Sequence, residues 1–190
     1  ATVYIPTREN REQFAREMSR QLGIAITTAD SAEAAVRGRR VVLAASSARS
    51  TQPVLHGEWL EGCRLLCAVG NTRKQFAEAD VRCFGDAELV IVDSAHAFEE
   101  AGDLCAAAAA GALPDSKRTT LAQVVAQTVT FPDRGMVTFK SVGTALQDLA
   151  LAVRYYERLG QRTATAVVND LGSLRSSVRE TAVPLKRAMS

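Results

Sequence analysis

What most constrains this chain is an alternation: short branched apolar runs, each cut off by a polar residue or a glycine, separated by stretches of helical spacing. The clearest instance is residues 136–150, Met-Val-Thr-Phe-Lys-Ser-Val-Gly-Thr-Ala-Leu-Gln-Asp-Leu-Ala. The run has strand character, stops at Lys140-Ser141, and turns helical at Val142. From there Val142, Ala145, Leu146, Leu149, Val153 and Tyr156 recur on one helical face. Ser141 and Gly143 stand at the junction. A strand passing into a helix there exposes backbone N–H groups suited to an anion or an amide-bearing ligand.

The same alternation runs along the chain. Strands are expected at residues 3–5, 24–27, 41–45, 65–69, 89–92 and 136–139, with 41–45 apolar enough to be buried on both faces. Cys63 and Cys67 fall within the apolar run around the fourth of these. Helices are expected at 9–22, with Phe14, Met18 and Leu22 on one face and Gly23 as the stop, and at 121–127, capped by Thr120 and Gln123. A brief helix through Val36 is expected behind an Asp30/Glu33 capping box, and a further one at 160–180 aligns Val167, Leu171, Leu174 and Val178. Residues 106–110 read as a packed helix end and 184–190 as a frayed tail. Strands alternating with helices predict an α/β fold: a mostly parallel sheet with crossover helices on its faces.

Composition excludes several classes. A net charge of +2 gives no electrostatic reason for a nucleic-acid partner, and no apolar run approaches the ~20 residues of a membrane span. With 47% hydrophobic and 23% charged residues, 190 residues suffice for one good core. The four cysteines form no CxxC pair and stand at no metal-ligand spacing with His56 and His96. They read as reduced thiols of a cytoplasmic protein, and no metal is expected. The chain opens without methionine, directly in a strand-like run, as an excerpt of a longer protein would.

In an open parallel sheet, ligands lie beyond the carboxyl ends of the strands. That rule selects Thr7-Arg8, Ala45-Ser46-Ser47, Val69-Gly70-Asn71-Thr72 and Ser141-Val142-Gly143, with all four strand ends on one edge of a single sheet. Asp93, Glu100 and Asp103 read as structural carboxylates, Trp59 as a core anchor and His56 as a loop residue. Arg73 and Lys74 are cations within reach of the third place.

Several motifs in order carry a resemblance. They are Thr7-Arg8-Glu9-Asn10 with Phe14-Ala15, Ala44-Ala45-Ser46-Ser47 and Pro53-Val54-Leu55-His56-Gly57-Glu58-Trp59-Leu60. Cys67-Ala68-Val69-Gly70, Ile91-Val92-Asp93 with Glu100-Ala101-Gly102-Asp103-Leu104, and the Ser141-Val142-Gly143 block follow. From about residue 3 to 160 the chain resembles the ornithine cyclodeaminase/mu-crystallin family. The resemblance implies a Rossmann-like domain over residues 1–141, lacking its first strand and glycine-rich turn. It implies C-terminal helices over 142–190 that pack toward a substrate and dimerisation domain, and a homodimeric enzyme. It also implies an NAD(P)H-dependent oxidoreductase acting on the C–N bond of a small imino or amino acid. Dinucleotide contacts fall to Thr7, Arg8, Ala45, Ser46, Val69, Gly70, Asn71 and Ser141, and substrate contacts to Thr72, Val142 and Gly143. No catalytic acid or base is assigned. Ile5-Pro6 stands where an acidic residue would grip a ribose diol, and Arg8 follows. This favours NADP(H) over NAD(H), since arginine pairs with a 2′-phosphate. Thr72 stands where cyclodeaminases carry an aspartate, which favours imine reduction over cyclising deamination. Two alternatives stay open: an NADP(H)-binding crystallin-like protein without turnover, and an ornithine cyclodeaminase.

Overall fold

A computed structural model describes residues 1–159. The helix expected at 160–180 and the tail at 184–190 lie outside the described residues. The chain divides into one unit spanning Ala1–Gly143 and another that begins at Thr144. The first unit opens with β1 (Thr2–Val3), α1 (Arg8–Leu22), β2 (Thr27–Thr28) and α2 (Ala32–Val36). There follow β3 (Val41–Ala44), a 3₁₀ turn (Gly57–Trp59), β4 (Leu65–Ala68), α3 (Arg82–Gly85) and β5 (Ala87–Val92). Next come α4 (Ala97–Glu100), α5 (Gly102–Ala109), β6 (Arg118–Thr120), α6 (Leu121–Val125) and β7 (Met136–Lys140). The second unit contributes α7 (Ala145–Leu159).

Five strands form one wholly parallel sheet in the order β3-β4-β7-β5-β6. Period-two alternation divides its side chains between two faces. Leu66, Val90 and Val92 enter the main core with Phe84, Leu104 and Leu113, while Leu89, Ile91 and Val137 face the other side with Val124 and Phe139. The register decides where function can lie. Ala44 pairs with Ala68, Ala68 with Lys140, Lys140 with Val92, and Val92 with Thr120. All five strands therefore finish in one transverse row, and the loops that leave them share one rim.

The α/β class and the parallel sheet are as expected, but β1 and β2 form a separate two-stranded parallel sheet. The strand end at Ile5 is thus not on the edge shared by Ala45, Val69 and Ser141. Helix α1 packs on this small sheet and buries only Arg11 and Ala15; Phe14 and Leu22 of the expected apolar face are exposed. A 15-residue helix is about 22 Å long, and strands of two residues are too short to cover its stripe. Strand β3 is not buried on both faces. It lies at the edge of the large sheet, with Val42 at 5% exposure but Val41 at 64% and Leu43 at 68%.

Local chemistry sets the element ends. Gly23 ends α1 in the left-handed region at φ 66°. Ser31, not Asp30, caps α2, its Oγ accepting the Ala34 N–H at 3.0 Å, while Asp30 accepts from Arg11 at 3.3 Å. The Thr120/Gln123 capping box opens α6 with both reciprocal bonds present. Cys63 lies before β4, and Cys63 and Cys83 are buried free thiols while Cys67 and Cys105 are half-buried. Of residues 106–110 only Ala107 is buried. Helix α7 starts at Ala145, three residues later than its spacing predicts. Val142 packs against the main core instead of joining the helical face. On α7, Leu146, Leu149, Val153 and Tyr156 are exposed. No helix among the described residues is long and apolar enough to cross a membrane.

Candidate functional site

The rim is built where the chain leaves β3, β4, β5 and β7. Ala45 and Val69 are exposed there, and Ser46, Gly70, Ser141 and Val142 are half-buried. Two of these loops are in direct backbone contact. A Cβ added at Gly70 would overlap the Ser46 backbone and Glu78 Oε1, so only glycine fits where the β3 and β4 loops meet.

Three carboxylates hold the rim from beneath. Glu78 is fully buried, yet accepts the Ser46 N–H at 2.6 Å, the Ser46 hydroxyl at 2.7 Å and the Gly70 N–H at 2.8 Å. Asp103, at the start of α5, accepts from Lys140 Nζ at 3.1 Å, with both side chains inaccessible to solvent. The same Asp103 oxygen also receives the Glu78 and Ala79 N–H groups at 3.4 and 3.5 Å. Asp93, at the end of β5, accepts the Ser141 hydroxyl at 2.6 Å and the N–H groups of Val142 and Gly143 at 3.1 and 2.7 Å.

This corrects the reading of the Ser141-Val142-Gly143 turn as an open anion site. Its N–H groups are already bound by the Asp93 carboxylate. That contact, with Gly143 at φ 81°, keeps the turn non-helical and delays α7. The structure brings Ala45, Ser46, Val69, Gly70, Asn71, Ser141, Val142 and Gly143 to the rim, and Thr72 is exposed on the loop after Gly70. Asn71 is buried and spends its side chain within its own loop, its amide donating to the Arg73 and Phe76 carbonyls and its oxygen accepting the Arg73 N–H. Thr7 and Arg8 stand apart from the row, at the start of α1. Thr7 makes no side-chain cap, and exposed Arg8 pairs with Glu12 at 2.8 Å, which raises its pKa and lowers that of Glu12. Arg73 and Lys74 are exposed beside Thr72.

Sequence reasoning missed Glu78 and Lys140. Lys140 carried a signal, since a cation ending an apolar strand in the middle of a sheet must be paired. Glu78 carried none, because its donors lie 32 and 8 residues away. His56 contacts Asp80 at 3.3 Å and stacks edge-on against Trp59. Among the described residues no three His, Cys, Asp or Glu side chains converge on a metal-sized site.

The rim lacks one part of a dinucleotide site, for residues 1–190 contain no Gly-x-Gly-x-x-Gly turn. What is present is compatible with the rest: a row of strand ends, a glycine-only approach between two loops, and exposed Ala45 and Val69 on that rim.

Comparison with known proteins gives the family. The protein named ketimine reductase mu-crystallin from Rattus norvegicus is 29% identical over 151 residues, covering 80% of this chain and 44% of that protein. The structure of Thermococcus litoralis Δ1-pyrroline-2-carboxylate reductase, in complex with NADH and L-proline, matches with a TM-score of 0.76 and 30% identity. The match covers 85% of this chain and 50% of that one. A probable ornithine cyclodeaminase from Bordetella pertussis matches with a TM-score of 0.71 and 29% identity, over 85% and 51% of the two chains. This chain spans about half the length of these relatives. The sequence profile of the ornithine cyclodeaminase/mu-crystallin family matches residues 2–163, and the chain belongs to that family.

Proposed function

We propose that this chain forms the dinucleotide-binding part of an NAD(P)H-dependent reductase acting on the C=N bond of a small imino acid. The observation that carries this reading is the state of the rim carboxylates. Glu78, Asp93 and Asp103 each accept from three donors of the protein, on both oxygens of Glu78 and on one oxygen each of Asp93 and Asp103. The second oxygens of Asp93 and Asp103 are unpartnered but closed off from solvent, so none of the three carboxylates is presented as the acid or base of a cyclising deamination, and Thr72 stands exposed where such a group is needed. Reduction asks less of these residues. When bound, the reduced nicotinamide would supply the hydride and solvent water the proton taken up at the imine nitrogen; Ala45, Ser46, Val69 and Gly70 would hold the dinucleotide at the rim. Arg73 and Lys74 would meet the substrate carboxylate. The names of the rat and Thermococcus relatives support an imine substrate.

Arg8 makes NADP(H) the preferred cofactor. A 2′-phosphate carries more charge than the Glu12 carboxylate and offers arginine a better partner. NADH is the rival, since the Thermococcus relative holds it. The test is to titrate the complete protein with NADPH and NADH by nicotinamide fluorescence, then assay cyclic ketimines and ornithine. NADPH should bind more tightly. Arg8→Ala should weaken NADPH by about tenfold with little change for NADH, and Glu12→Gln should strengthen NADPH. Equal losses for both cofactors would remove the 2′-phosphate role. Proline formation from ornithine at a rate near that of imine reduction would overturn the reductase reading. Tight binding with no turnover on any imine would favour a dinucleotide-holding protein instead.

A further inference from the structure

We infer that Glu78 is a positioning residue of the dinucleotide rim, its carboxylate fixing the β3 and β4 loops against each other so that together they present one wall to the cofactor. This rests on the dinucleotide reading above. Glu78 is the fixed point of that corner of the molecule. Its carbonyl accepts the N–H groups of Val54 and Leu55, both at 3.0 Å, and its own N–H donates to Asp103. Lys140 neutralises Asp103 from the end of β7. The segment carrying Glu78 is thus anchored on both sides before its side chain reaches the rim. From that anchor one carboxylate oxygen takes both donors of Ser46 and the other takes the Gly70 N–H. The two loops are held in contact, which the missing Cβ of Gly70 allows.

A merely structural carboxylate could sit anywhere in the core. This one is fully buried yet spends all three of its side-chain bonds on two adjacent strand-end loops. A glutamine would accept from Ser46 but present an N–H to the Gly70 N–H, opening the corner on the β4 side. Aspartate, one methylene shorter, would not span both loops.

The test compares the complete wild-type protein with Glu78→Gln, Glu78→Asp and Val90→Ala. Val90 is a fully buried core residue away from the rim loops, so its variant matches lost stability without touching them. NADPH and NADH affinities are measured well below each melting temperature. The expected result is about a tenfold or greater loss for both Glu78 variants and near wild-type affinity for Val90→Ala. A glutamine variant with wild-type affinity would overturn the inference while leaving the dinucleotide reading intact. Wild-type protein that binds neither cofactor would overturn both. If the Glu78 variants fail to fold, amide NMR of the wild type decides. Cofactor should shift and further protect the Ser46 and Gly70 amides. Binding that moves other amides but leaves these two unchanged would defeat the inference.

Discussion

At the scale of single residues, the molecule depends on a few buried charges with little tolerance for change. Lys140 and Asp103 are both fully buried, and Asp103 Oδ1 has no hydrogen-bond partner, so Lys140 is the main compensation for that charge. Lys140→Met should therefore cost about 3–5 kcal/mol, read as a fall in the denaturation midpoint. Pairing it with Asp103→Leu should recover much of the loss, because an apolar pair replaces an orphaned charge. Gly70→Ala should cost about 1–3 kcal/mol through overpacking against Ser46 and should reduce dinucleotide affinity as well. Cys83 offers a chemical check on the packing. Burial, with Asp80 nearby, pushes its thiol far above the ordinary range. The thiolate is the reactive form, so raising the pH to 9 should still leave Cys83 unalkylated in the folded protein. Labelling of Cys83 at the rate of the half-buried Cys105 would mean that the core around Phe84 opens readily.

At the scale of elements, the short helices stand on their caps. Helix α6 has five residues, too few to persist on propensity alone, and the Thr120/Gln123 box closes its first turn. Thr120→Ala should cost about 1 kcal/mol in thermal denaturation. An unchanged melting temperature would show that the packing of Val124 beneath β5 and β7 suffices. The elements also show what could be read from the sequence. Cap chemistry is local, and the Thr120/Gln123 box and Gly23 were legible as written. Apolar runs located β3, β4, β5 and β7 to within a residue or two. Partners are not local. Val41 and Leu43 have the composition of a central strand but lie on an edge. Asp30 and Glu33 have capping spacing, yet the helix begins at Ala32, so Ser31 stands at the cap and makes the bond. Val142 sits at helical spacing with Leu146 and Leu149, but Asp93, about fifty residues earlier, took its N–H. The site was legible as a set of strand ends, since any parallel sheet gathers them. The carboxylates that shape it were not, since each is defined by donors from other loops.

For the whole molecule, the division into two sheets matters most. Strand β3 ends the large sheet with Val41 and Leu43 exposed, and its outer edge has no partner among the described strands. Such an edge is a template for association. Residues 1–190 expressed alone should self-associate in light scattering, and Leu43→Lys should reduce the effect; a monodisperse monomer would show that the edge is protected. The carboxylates beneath the rim have a further consequence. The N–H groups of Ser46, Gly70, Val142 and Gly143 are bound by carboxylates of the protein itself, so these turns need no ligand to become ordered. An arriving cofactor then forfeits little conformational entropy at this wall of its site, and association should follow a single step with no slow rearrangement. Free and liganded forms should share the same loop backbone to within about 1 Å, making this wall a rigid gauge against which cofactors are selected by fit.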